Sequence, residues 1–293
     1  MSNTATERKA FFKRLRGQET DGAEMSFIDH LEVLRWHLFR SVIVLFVVAL
    51  VVFFYVNWIF DNIILAPTRN TFISNHVFCW LGHKLHLGDS LCMSPVSFQL
   101  LGSTVTGPFM SAIDISFLGA IIIAFPYLMW ELWRFIKPAL SKKEISYATG
   151  SIGWVSLCFF TGAAFGYFIL APFTFNFLAG FQLGHLGVYK YMPTLDNYID
   201  TLTSIIMGCG LAFELPVLVY VLSKLGIIGP QFLIKYRKYA YVIIIVLAAF
   251  VSPSPDWTSQ LIVAVPLIVL YEIGIFLSKK VYREKAKAEA QWD

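Results

Sequence analysis

Long apolar runs decide what this chain can fold into: Leu38–Trp58, Ile113–Phe135, Ile152–Leu170 and Tyr198–Leu222. A hydrocarbon core of about 30 Å is crossed by roughly 20 helical residues, and each run supplies them. Two more runs follow, Tyr239–Val251 and Trp257–Leu277. The first has only about 13 residues and reaches about 20 Å as a straight helix. The second is interrupted by Gln260, Pro266 and Glu272, and Ser252-Pro253-Ser254-Pro255-Asp256 alone separates the two. They must form a tight hairpin, which implies a locally thinned bilayer or burial against longer helices. The reading is an all-α membrane protein with six transmembrane helices; four spans plus a re-entrant loop is the alternative. Composition agrees. The chain is 57% hydrophobic and 14% charged, against about 45–50% and about 25% for soluble domains. That balance excludes a disordered chain, a basic nucleic-acid-binding protein and a disulfide-stapled mini-domain.

Orientation follows from where Lys and Arg fall. Of the 23 such residues, Arg69, Lys84 and Lys190 lie on one side of the predicted spans. All others lie in the N-terminal segment, the second and fourth connections and the C-terminal tail. Both termini are therefore expected in the cytoplasm. Residues 1–24 are polar and expected to be a disordered cytoplasmic N-terminus, residues 25–278 form the spanning core, and Lys279–Asp293 is a charged cytoplasmic tail. The first span is no cleavable signal peptide, because its apolar run is too long and no small-residue cleavage pattern follows.

Ser26-Phe27-Ile28-Asp29 has the form of a capping box. Phe27, Leu31, Leu34 and Leu38 then recur at helical spacing, so an amphipathic segment runs into the first span. The connection from about Asp61 to Ser111 is long and on the oxidising side, where Cys79 and Cys92 can pair. His76, His83 and His86 stand near them, but the spacing matches no standard zinc pattern, so a solvated loop is preferred and no metal is assigned. Gly162 and Gly166 form a GxxxG pattern in the third span, a signature of close helix packing. Glu214 is costly in lipid and sits in Phe213-Glu214-Leu215-Pro216, where Pro216 predicts a kink. It is read as facing a polar cavity or a partner helix; a proton-coupled small-solute carrier using Glu214 is the rival. Glu272, near a span end, is read as reaching the interface. No catalytic constellation, P-loop or cofactor motif appears, so the chain is read as a non-enzyme without cofactors.

These features occur within a longer ordered series of motifs. The series begins with Asp29-His30-Leu31-Glu32-Val33-Leu34-Arg35, Ala66-Pro67 and Phe125-Pro126. It continues through Glu131-Leu132-Trp133-Arg134-Phe135-Ile136-Lys137-Pro138-Ala139-Leu140, Lys143-Glu144 and Phe165-Gly166-Tyr167-Phe168. It ends with Phe213-Glu214-Leu215-Pro216, Ser252-Pro253-Ser254-Pro255-Asp256 and Pro266 through Tyr271-Glu272-Ile273-Gly274. Together these cover about residues 25–280, and in content and order the series resembles the TatC family, the multispanning receptor of the twin-arginine protein translocase.

The resemblance implies a concave, glove-shaped six-helix bundle in the bacterial cytoplasmic (inner) membrane. It implies binding of twin-arginine signal peptides, TatA/TatB-type single-span partners, a homo-oligomer within the complex, and export of folded proteins driven by the proton-motive force. No nucleic acid is implied. The arginine-recognition site should include Glu144, since a carboxylate accepts two parallel hydrogen bonds from guanidinium. A second family carboxylate normally precedes Leu34-Arg35; here that position is Val33, and Glu32 lies one residue earlier. Either Glu32 substitutes from a rotated helix or recognition leans on Glu144 with help from Glu131. Arg35 is expected to organise these carboxylates or meet lipid phosphate. Phe135 would offer an apolar or cation–π contact. Pro67 would shape the external cap, and Glu214, Ser252 and Gln260 would dock a partner helix.

Overall fold

The structure is a computed structural model that describes residues 27–69, 71–84, 99–136, 151–180, 192–224, 226–251 and 257–289. The chain forms two compact units, Met1–Arg40 and Ser41–Asp293. In the first, the described residues are helical from Phe27 onward, and Trp36 and Phe39 make an edge contact at 6.2 Å while both remain exposed.

Eleven α-helices occur among the described residues. They are α1 Phe27–Phe54, α2 Val56–Ile59, α3 Ile73–Lys84, α4 Gly107–Ile136, α5 Ser151–Phe165 and α6 Ala171–Gly180. Then come α7 Leu195–Ala212, α8 Leu215–Lys224, α9 Pro230–Lys235, α10 Arg237–Val251 and α11 Trp257–Glu289. Among the described residues, five stretches are long and apolar enough to cross a membrane: Glu32–Phe54, Gly107–Ile136, Gly153–Gly180, Leu195–Lys224 and Gln260–Glu284. The predicted fifth run corresponds to α10, whose 15 residues give about 22 Å and fall short of a full core. The expected charged tail is helical as far as Glu289, as a continuation of α11.

Packing in the larger unit begins with small residues. A Cβ on Gly162 would stand 2.5 Å from the Cys209 carbonyl oxygen, and one on Gly166 would stand 2.9 Å from that of Ile205. The GxxxG pattern therefore lays α5 directly on the α7 backbone, as the sequence predicts. Gly210 makes the reciprocal space, since a Cβ there would meet the Phe159 ring at 2.7 Å. Phe159 is fully buried and stacks on Phe125 of α4 at 3.6 Å. A second seam joins α8 to α11, where the buried Ser223 hydroxyl donates to Ser278 Oγ at 2.8 Å.

Three backbone breaks lie next to prolines, which lack the N–H that an α-helix returns to the carbonyl four residues back. Phe60–Ile64 is a π turn leading into a 3₁₀ turn, Ala66–Thr68. Pro67 sends no amide to Ile63, and the Tyr167 hydroxyl donates to that carbonyl at 2.7 Å. The next carbonyl, Ile64, accepts the buried Tyr198 hydroxyl at 2.6 Å, while the Thr68 amide bonds Leu65 instead. Between α5 and α6 a second π turn, Gly166–Leu170, precedes Pro172. Phe168 lies four residues before that proline, and its carbonyl accepts the hydroxyl of Ser74 from α3. Phe72 packs beside it, stacked on Phe168 at 5.8 Å and edge-on to Tyr167 at 5.6 Å. The third break is the turn at Phe213-Glu214 between α7 and α8, ahead of Pro216, where the sequence predicts a kink.

The connection from α2 to α4 thus contains helix α3 and is pinned to the bundle by hydroxyl-to-carbonyl bonds. Further along, Leu101 and Thr194 form a parallel bridge, with Leu101 donating to the Pro193 carbonyl and Leu195 donating to that of Leu101, each at 3.0 Å.

Gly162→Leu should destabilise the bundle by at least about 1–3 kcal/mol, because a backbone carbonyl has to move. Gly153→Ala, with nothing within 4 Å of its new Cβ, should leave stability nearly unchanged. Thermal unfolding of the two variants in detergent checks the contrast.

Candidate functional site

Of the residues implied by the sequence, Glu32 and Arg35 lie in the smaller unit and the others in the larger. On α1, Glu32 and Arg35 are exposed and Val33 is half-buried. Successive helical residues are turned by about 100°, so three steps bring Glu32 and Arg35 to within about 60° of each other. They share one exposed face. Glu32 points away from the Val33 direction, where the family carboxylate would project.

On α4, Glu131 and Phe135 lie one turn apart near the helix end. Glu131 is 1% exposed, so direct contact with a ligand would require its carboxylate to turn outward. Arg134 lies at 3.6 Å from Glu131 Oε2 and covers the Trp130 ring at 4.8 Å. This cation holds the carboxylate where it is, and Phe135 is half-buried beside it. Glu144 lies outside the described residues, as do Ser252 and Cys92.

Glu214 sits at the α7–α8 break. With Trp133 of α4 and Val155 of α5 it lines a cavity of about 210 Å³ whose other walls are Met129, Leu132, Ile136, Val217, Leu218 and Val221. Glu214 Oε1 and Trp133 Nε1 are both buried without a hydrogen-bond partner. One unmatched acceptor and one unmatched donor therefore belong to residues that wall an otherwise apolar space, an arrangement suited to a polar group entering from outside. Gln260 is not part of this lining. Its amide donates to the Ile245 carbonyl of α10 at 3.1 Å, so it ties α11 to α10.

Pro67 is buried in the 3₁₀ turn described above. Cys79, on α3, is disulfide-bonded, whereas Cys158 and Cys209 are free. No group of three or more metal-ligating side chains occurs among the described residues.

One ion pair gives Glu272 a partner that the sequence does not announce: Arg237 of α10 grips both carboxylate oxygens, with Nε at 2.6 Å from Oε1 and the second contact through Nη2. The Tyr241 hydroxyl also donates to Oε1. The group clamps short α10 to long α11, and the Tyr271 hydroxyl fastens α9 through the Leu233 carbonyl at 2.9 Å. Nothing periodic links residues 35 positions apart; the available signal is a basic residue opening one arm of a hairpin and an acid near the end of the other.

Arg237→Gln and Glu272→Gln should each lower the detergent unfolding midpoint slightly. The charge-swapped pair Arg237→Glu with Glu272→Arg should recover part of that loss, and its midpoint relative to the single variants checks the clamp.

Residues 29–266 match the family described as Sec-independent protein translocase protein (TatC). The TatC protein of Blattabacterium is 35% identical over 263 residues, covering 89% of this chain and 98% of its own. That of Aquifex aeolicus is 32% identical, covering 90% and 99%. A crystal structure of a twin-arginine translocase receptor, TatC, aligns with a TM-score of 0.65 at 32% identity, over 86% of this chain and 99% of that one. Motif series, helical architecture and near-full-length similarity agree: the chain belongs to the TatC family of Sec-independent protein translocase proteins.

Proposed function

We propose that this chain is the signal-peptide receptor and core subunit of a twin-arginine translocase. The observation that carries this reading is the similarity, over nearly the whole of both chains, to a solved protein described as the twin-arginine translocase receptor. The full arrangement is six spans with both termini in the cytoplasm, α10 and α11 forming the short final hairpin. Residues 1–24 and 279–293 flank a core of residues 25–278. Together with TatA/TatB-type partners, in a complex holding several copies of this chain, it moves folded precursors outward on the proton-motive force.

The twin-arginine pair is held at the cytoplasmic mouth. Glu144 is the principal acceptor, because a carboxylate and a guanidinium form two parallel charge-assisted hydrogen bonds. Glu32 is the second acid, and its exposure beside Arg35 supports that role. Glu131 acts from behind by fixing Arg134, and Phe135 borders the site. Glu214 receives a polar residue of a partner helix, supported by the buried acceptor and donor in its cavity. Gln260 and Ser252 belong to the same partner surface. Pro67 shapes the cap through its turn, and a Cys79–Cys92 disulfide closes the long connection.

Binding of a fluorescent signal peptide to the purified protein, with Arg-Arg or Lys-Lys in its motif, tests this reading. Lys lacks the planar fork, so the Lys-Lys peptide should bind distinctly more weakly. Glu144→Lys should reduce affinity for the Arg-Arg peptide by about thirtyfold or more, since it replaces an attractive partner of the guanidinium by a like charge. Equal binding of both peptides would remove the receptor assignment.

A further inference from the structure

A groove of about 500 Å³ runs between α5, α8 and α11, on the other side of Val217 from the Glu214 cavity, which that residue also lines. Its polarity changes along its length. Cys158, Pro216, Leu270 and Ile273 line the deep end. At the other end stand Trp154, Tyr220, Lys280 and Glu284. Trp154 lies in the first turn of α5 and is 65% exposed, and Lys224 stacks over Tyr220 at 4.8 Å. Aromatic and basic residues at one level are the mark of a membrane interface.

A second cavity of about 470 Å³ opens at this end and shares Lys280 and Glu284 with the groove; Lys279 and Arg283 complete its charged lining, with Phe276. Three bases share that mouth with one acid, leaving an excess of positive charge. The spacing fits one leaflet. From Leu270 to Glu284 α11 rises about 21 Å, against about 15 Å for half a hydrocarbon core, with the remainder in the headgroup layer.

We propose that this groove holds an anionic phospholipid, its acyl chain between α5, α8 and α11 and its phosphate against Lys279, Lys280 and Arg283. Charge complementarity selects a negative headgroup over a zwitterionic one, and the apolar depth selects a lipid over free phosphate. A partner helix about 10–12 Å across would fill a space of this size within about one turn, so it would insert side chains only. Dispersion contacts hold the acyl chain, and the basic end fixes its depth. The lipid would thereby brace α11 against α5 and α8. This inference does not depend on signal-peptide binding.

Native mass spectrometry of the full-length protein, released from micelles containing phosphatidylglycerol or phosphatidylcholine, tests it. Phosphatidylglycerol should be retained in preference, and Lys280→Gln with Arg283→Gln should lower its retention by about tenfold. Ile273→Trp, which fills the deep end, should displace both lipids. Inorganic phosphate at millimolar level should not compete. A photoreactive amino acid in place of Leu277, activated in intact membranes, should give a lipid-sized adduct. Equal retention of the two lipids, retention unaffected by the double variant, or a protein-sized adduct at position 277 would each overturn the proposal.

Discussion

A backbone carbonyl inside a bilayer has no water to turn to, so every place where a proline interrupts a helix must be answered from elsewhere in the protein. At Pro67 and Pro172 the answers are hydroxyl groups. Tyr167 donates to Ile63, Tyr198 to Ile64 and Ser74 to Phe168. Each bond runs between segments distant in sequence, so the breaks at Pro67 and Pro172 become the points at which the first connection is fastened to the third and fourth spans. The π turns are part of the same device, because they re-aim the carbonyls toward their donors. Glycines do complementary work at Gly162, Gly166 and Gly210, where helices approach closely enough for backbone contact.

What could be read from the sequence was what repeats at short range. Apolar length located the long helices, small residues four apart marked the α5–α7 contact, and Pro216 marked the break at Glu214. The fifth run was recognisably too short to cross unaided, and α10 is correspondingly a 15-residue helix. Contacts between distant segments were not legible. Helix α3 was hidden in a connection read as loop, because its periodicity is weak and its anchoring lies in Phe72, Ser74 and residues of the third span. The Arg237–Glu272 clamp was missed for the same reason. Burial of Glu131 could not be foreseen either: an acid beside Arg134 looks solvent-facing until neighbouring helices are in place.

The protein is a multi-pass protein of the inner membrane and a member of a translocase family. Its described structure separates two kinds of acidic group accordingly. Glu272 is spent on architecture, gripped by Arg237 and Tyr241. Glu214 keeps a buried oxygen unengaged in a cavity, and Glu32 stands exposed beside Arg35. In the account proposed here, exposed Glu32 and Glu144 of the cytoplasmic connection meet a cationic peptide, the cavity acid meets a partner helix, and the hydroxyl-pinned cap keeps its place while cargo passes.

The most direct measurement of that pinning is a double-mutant cycle between Pro67 and Tyr167, read by denaturant unfolding in mixed micelles. Tyr167→Phe alone should cost about 1 kcal/mol, the usual net worth of one hydrogen bond. In a Pro67→Ala background an amide becomes available to the Ile63 carbonyl, and the same change should cost less than half as much. Equal losses in both backgrounds would contradict the claim that the tyrosine answers the carbonyl that the proline frees.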